Sequence, residues 1–200
     1  MKWSRFSEDM ETDSILRKVS VFLAALLLAA SFDAGARKFS ISTDILGYAN
    51  LGTLNMDASY AVARRWSLTA GVRYNPFTFR KGEPDQFQYR QQSYSIGTRV
   101  WPWHIWSGWW FAGKIRYQEY NFGGILSKET EEGDRIGAGL YVGYTHMLTS
   151  WLNIEFGAGF WAGKAFYSKY SCPTCGYTLE SGKKYFLLPD DFLISLVYVF

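Results

Sequence analysis

Apolar and polar residues alternate with a period of two over most of residues 38–200, and that period belongs to β-strands. Trp66, Leu68, Ala70, Val72 and Tyr74 point one way, while Ser67, Thr69, Gly71, Arg73 and Asn75 point the other. Leu152, Ile154, Phe156, Ala158 and Phe160 oppose Asn153, Glu155, Gly157, Gly159 and Trp161 in the same manner. Turn signals divide the region into eight alternating segments, near 38–47, 54–63, 66–75, 91–101, 108–120, 135–148, 151–165 and 186–200. The last segment carries Phe192, Ile194, Leu196, Tyr198 and Phe200 on one face.

The connections sort into two kinds. Those at 63–66, 101–107 and 149–151 are short, whereas 76–90, 121–134 and 166–185 are long, polar and rich in glycine; only 47–53 is brief among the second set. Short turns at one end and long loops at the other are the pattern of an outer-membrane β-barrel, short side periplasmic. The aromatics follow. Trp66, Trp101, Trp103, Trp106 and Trp151 lie by the short turns, and Tyr74, Phe77, Phe79, Tyr117, Tyr120, Phe122, Phe166, Tyr167 and Phe186 by the long loops. Two belts of rings are what membrane interfaces select. The terminal strand with its final aromatic resembles the signal read by the barrel-insertion machinery, with residues Phe192, Ile194, Leu196, Tyr198 and Phe200 as the signal.

The N-terminus adds a route to that destination. Arg17 and Lys18 precede the apolar run Val19–Ala30, and Ala34-Gly35-Ala36 follows as a small-residue cleavage site. These are the parts of a secretory signal peptide, and the run is too short to span a bilayer as a helix, which takes about 20 residues. The acidic stretch Glu8, Asp9, Glu11 and Asp13 is foreign to a signal, and Met10 offers an alternative start. The expected division is a signal peptide over 1–36 and one barrel domain over 37–200. Removal of four basic and five acidic residues from the chain's 21 and 18 leaves a formal +4, too mild and scattered to point to nucleic acid. With no other run suited to a membrane helix, a spanning chain must be a closed sheet, which satisfies its backbone hydrogen bonds internally.

The fold class expected is therefore all-β: an eight-stranded antiparallel transmembrane up-and-down barrel. So narrow a barrel leaves an interior just wide enough for side chains. The alternation assigns Asp44, Asp57, Arg73, Arg99, Lys114, Arg116, Arg135, Glu155 and Lys164 to that interior. Confined charges of opposite sign should pair, because an unpaired buried charge is costly. The expectation is a plugged core; a narrow gated pore is the alternative that the basic excess suggests.

Several stretches resemble the family known as domain of unknown function 3575, found in outer membranes of Bacteroidota. They are Ala49-Asn50-Leu51-Gly52-Thr53-Leu54-Asn55, Arg73-Tyr74-Asn75-Pro76-Phe77, Tyr120-Asn121-Phe122-Gly123-Gly124-Ile125, Gly137-Ala138-Gly139-Leu140 with Gly143-Tyr144, Lys169 to Gly176, and Ile194 to Phe200. Leu187-Leu188-Pro189-Asp190-Asp191 departs from the Gly-Pro turn and Thr-Lys expected there. The resemblance implies an outer-membrane barrel without assigned activity, in a Gram-negative envelope, with fimbrial or other surface proteins as partners.

Chemistry is sparse. Cys172 and Cys175 are the only cysteines, and export favours a disulfide across Pro173-Thr174. A zinc site needs about four ligands, and His104 and His146 map to the opposite end. The same placement weakens an alternative as an enzyme on lipid A, which needs a general base within hydrogen-bond reach. Glu83, Asp85, Glu129, Glu131, Glu132 and Asp134 read as solvated loop charge. No catalytic residue, metal or cofactor is expected. Phe77, Phe79, Phe87, Tyr89, Phe122, Tyr167, Tyr170 and Tyr177 crowd the outer loops and are the binding candidates. The function expected is structural, or in surface assembly or adhesion. The partners expected are outer-membrane lipid, periplasmic chaperones and the insertion machinery during biogenesis, and surface or fimbrial proteins.

Overall fold

The structure, a computed structural model, describes residues 37–80, 86–124, 129–172 and 177–200, and the expected signal peptide lies outside them. The elements are β1 (Phe39–Asp44), α1 (Ile45–Ala49), β2 (Leu54–Ala63), β3 (Trp66–Asn75), β4 (Thr78–Phe79), β5 (Phe87–Val100), β6 (Gly108–Gly123), β7 (Thr130–Met147), β8 (Leu152–Tyr170) and β9 (Thr178–Val199). Every pairing is antiparallel, in the order β1, β2, β3, β5, β6, β7, β8, β9. β9 pairs back onto β1, so the sheet closes on itself as a ring. The two-residue β4 continues the line of β3 and pairs with β5. No described helix is long and apolar enough to cross a membrane.

The ring is uneven in height. β6 to β9 run for 16 to 22 residues, while β1 to β3 run for 6 to 10. β1 is shorter than its sequence pattern because Asp44 ends it. The Asp44 carboxylate accepts a hydrogen bond from the Leu46 N–H at 3.1 Å, which starts α1, and another from the Ile194 N–H at 3.1 Å. The long loops are also shorter than their composition suggested, because β5 to β9 continue through Phe87, Phe122, Glu131, Tyr170 and Lys184.

The inward faces of the strands carry the polar residues and the outward faces the apolar ones. Ser67, Thr69, Asn75, Arg99, Lys114, Arg116 and Glu155 are buried, whereas Leu68, Ile96, Phe111, Ile115, Leu140 and Phe160 are exposed. At the short-turn end this inversion stops. Trp101, Trp106, Trp110, Ala112, Tyr141, Leu193, Val197 and Val199 form a buried apolar cluster inside the ring. Trp101 and Trp106 therefore do not belong to the outer belt assigned to them from sequence; Trp66, Trp103, Trp109 and Trp151 are the exposed indoles of that end. Proximity to a turn does not fix the facing of a ring. Trp101 continues the inward parity of Arg99, and Trp106 turns inward through a left-handed backbone (φ 64°). That conformation costs about 1–2 kcal/mol, offset by burial of the indole and by the Asn153 side chain, which donates to the Trp106 carbonyl at 3.0 Å.

Candidate functional site: the interior of the ring

Inward-facing positions from all sides converge on a ladder of charge. Lowest is Arg99, whose Nη1 donates to Glu155 Oε2 at 2.9 Å, with both side chains almost fully buried (4% and 1% exposed). Thr145 Oγ1 donates to Glu155 Oε1 at 2.9 Å, and the Arg99 guanidinium lies 4.4 Å from the Trp110 ring centre. Above it, Lys114 Nζ stands 3.7 Å from Asp57 Oδ1 and 5.0 Å from the Tyr141 ring. Higher still, Arg116 lies over Trp161 at 5.2 Å and Arg135 over Tyr120 at 3.9 Å. Arg135 also faces Glu131 at 3.8 Å, and Lys184 donates to Glu131 at 2.7 Å. Ion pairs and ring faces together give each of these cations a partner inside the ring.

Glycines make the room. Trp110 lies across Gly143 and Gly157, and Tyr141 across Gly139 and Gly159, so the inward glycines of β7 and β8 are floor for the rings. A Cβ at Gly143 would run into the Trp110 indole and the Phe156 carbonyl. Gly143→Ala should therefore lower stability by about 1–3 kcal/mol, read as an earlier denaturant midpoint, whereas overpacking predicts no such shift for exposed Gly182.

The sequence-assigned interior charges face inward with one exception. Lys164 is on the outer face: β8 turns its odd positions inward, from Glu155 through Trp161 to Ala165, and Lys164 lies outside near the exposed rings of Phe166 and Tyr185, each 5.8 Å away. Glu131 and Lys184 are interior charges that the alternation did not assign. Glu131 is in β7 and not a solvated loop, and Lys184 is in β9 beside it. Counting by twos outward from Arg135 would have found Glu131; Lys184 lies beyond a register shift in β9, where counting fails.

The outer aromatics are also relocated. Phe87, Tyr89, Phe122, Tyr167 and Tyr170 are strand residues and not loop tips, and Phe79 belongs to β4. Phe79 stacks on Phe87 and Tyr89 on Phe122, each at 4.5 Å, and Phe77 lies 6.3 Å from Phe79. Tyr167 donates to Glu180 at 2.6 Å and Tyr170 to Glu132 at 2.7 Å, and these carboxylates hold both phenol pKa values above the ordinary range. Tyr177 is the most exposed of the set. Cys172 is disulfide-bonded, while its expected partner Cys175, like Glu83 and Asp85, lies outside the described residues. His104 and His146 are at the short-turn end, where His104 bridges to Ser107. No group of three or more metal-ligating side chains occurs among the described residues. On β9, Phe192, Ile194, Leu196 and Tyr198 share the outer face, with Leu193, Val197 and Val199 buried inward.

The architecture defines an all-β protein, a closed antiparallel sheet with a charged interior. The family described as Protein of unknown function (DUF3575) matches residues 21–200, and the chain belongs to it. No curated protein and no solved structure matches the chain.

Proposed function

We propose that this protein is a small outer-membrane β-barrel of a Gram-negative envelope, exported through the signal peptide over 1–36, with a filled polar interior and a structural or surface-assembly role. One observation carries the reading: the exposed outer face is apolar over a run of similar length on neighbouring strands. On β3 the outward apolar run is Trp66 to Tyr74, and on β6 it is Trp109 to Tyr117. Nine residues per strand fit the roughly 9–11 that a tilted strand needs to cross hydrocarbon.

Register relates the upper ends of these runs on β3 to β8. Val72, Tyr94, Tyr117 and Ile136 are neighbours in one row, with Lys164 next along it. One outward position further along the strands run Tyr74, Gln92, Glu119, Asp134, Phe166 and Lys183, where further charges join Lys164 on the outer face. A lysine at that height can lay its stem on the apolar band and lift its ammonium into the headgroups. An exposed apolar girdle of this extent has no place on a monomer in water. The strand ends above the margin, tipped by Tyr177 and Leu179, are the surface offered to an extracellular partner.

The test is location and protection. The processed protein should fractionate with the outer membrane. In lipid vesicles, protease should cut only outside the band, leaving the strands intact. A processed protein that stays monomeric in plain buffer without detergent would end the proposal.

A further inference from the structure

The wall of the ring is incomplete on one side. β1 pairs with β9 only from Ser40↔Val199 to Asp44↔Ser195. Above Ser195, among the described residues, β9 is paired on its β8 side alone, and the helix α1 takes the place of a neighbouring strand. β9 is irregular at this seam as well. Its pairing with β8 jumps from Leu193↔Gly157 to Asp190↔Gly159, a bulge.

Behind the seam is a cavity of about 410 Å³, within the range of ligand sites. Its inner wall holds Arg73, Arg116, Arg135 and Leu188, with Asp44 already engaged by two backbone N–H groups, and its outer rim holds Leu46 and Phe192. Phe192 lines the cavity and is also 67% exposed, so the cavity reaches the outside of the ring at the seam. Each guanidinium already has company inside the protein, yet each carries five N–H donors and one partner does not exhaust them. Three guanidiniums around one space match the oxygens of a phosphate, which they bind in bidentate fashion. The rim is of the opposite character, apolar and continuous with exposed Ile45 and Leu187.

We propose that this cavity binds a phosphate-bearing amphiphile, its headgroup among Arg73, Arg116 and Arg135 and its hydrocarbon chain leaving through the seam between α1 and β9. The inference rests on the membrane reading above, because the seam then opens into lipid near the upper margin of the band. The two halves of the site select together. Free phosphate gains only the arginines, and a neutral amphiphile only the rim.

The experiment uses the full mature chain in neutral maltoside micelles, titrated calorimetrically with dodecyl phosphate and with inorganic phosphate. Saturable binding of dodecyl phosphate is expected, at least tenfold tighter than inorganic phosphate. Arg73→Gln and Arg116→Gln should each weaken it at least tenfold. Leu46→Gln, at a partly exposed rim position, should weaken dodecyl phosphate alone; this variant keeps the test sharp if an arginine variant fails to fold. Absent binding, equal affinity for the two phosphates, or affinity untouched by Arg73→Gln would each overturn the proposal. Vesicle protection is scored separately, so a chain that inserts without binding sinks this site and spares the membrane reading. A chain that binds without inserting does the reverse.

Discussion

Glu155→Ala should destabilise the protein by about 3–5 kcal/mol, the usual consequence of removing one partner from a buried ion pair. The magnitude follows from what is left behind. Arg99 would remain buried against Trp110 with its carboxylate gone, and Thr145 would lose its acceptor. Neither group has a route to bulk water, because the tryptophan cluster lies below and the Lys114–Asp57 pair above. The companion variant separates pair from charge. Arg99→Met combined with Glu155→Leu removes both charges and should recover most of the loss, since buried pairs replaced by apolar side chains are often neutral. Denaturant unfolding of detergent-folded protein, followed by circular dichroism, gives both numbers. A single-variant change within about 0.5 kcal/mol, the range of ordinary surface substitutions, would show that Glu155 is not the anchor described.

The second large effect is on the outside. Leu140 is 62% exposed, between Gly113 and Phe160 near the middle of the apolar band. Were that face in water, Leu140→Arg would change stability by no more than about 0.5 kcal/mol. Facing hydrocarbon near the midplane, it should cost about 2–4 kcal/mol. Tyr177→Arg, above the margin, is the control and should be neutral. Folding into lipid vesicles, measured by urea titration, distinguishes the cases. Equal stability of the two variants would remove the girdle argument.

The strand pattern was legible wherever the two faces face different surroundings. β3 was readable from Trp66 to Asn75, with bounds that match the structure, because Ser67 to Asn75 line a polar interior while Trp66 to Tyr74 face outward. Contrast vanishes above the band, where both faces are polar. There Glu131, Tyr167 and Lys184 look like loop in composition, although backbone pairing and carboxylate–cation contacts keep the strands going. Local chemistry was hidden for another reason. The short helix after Asp44 depends on one carboxylate capping Leu46, and the inward turn of Trp106 depends on a positive φ; neither leaves a periodic trace. Lys164 was assigned inward against the parity of its own strand, which Glu155 and Trp161 already determine. The arginines were visible singly as interior residues. Their gathering behind a gap in the wall follows from the height mismatch of β1 and β9, which only register reveals.

The cluster of Trp101, Trp106 and Trp110 at the short-turn end, with Leu193, Val197 and Val199 around it, gives the ring a solid base. A vessel sealed below exchanges its contents only from above or through its side. On the proposed reading, whatever settles among the arginines leaves through the open end or through the gap beside β9. On the proposed reading, such a molecule suits the work of a receptacle or a holder better than steady flux from one compartment to the other.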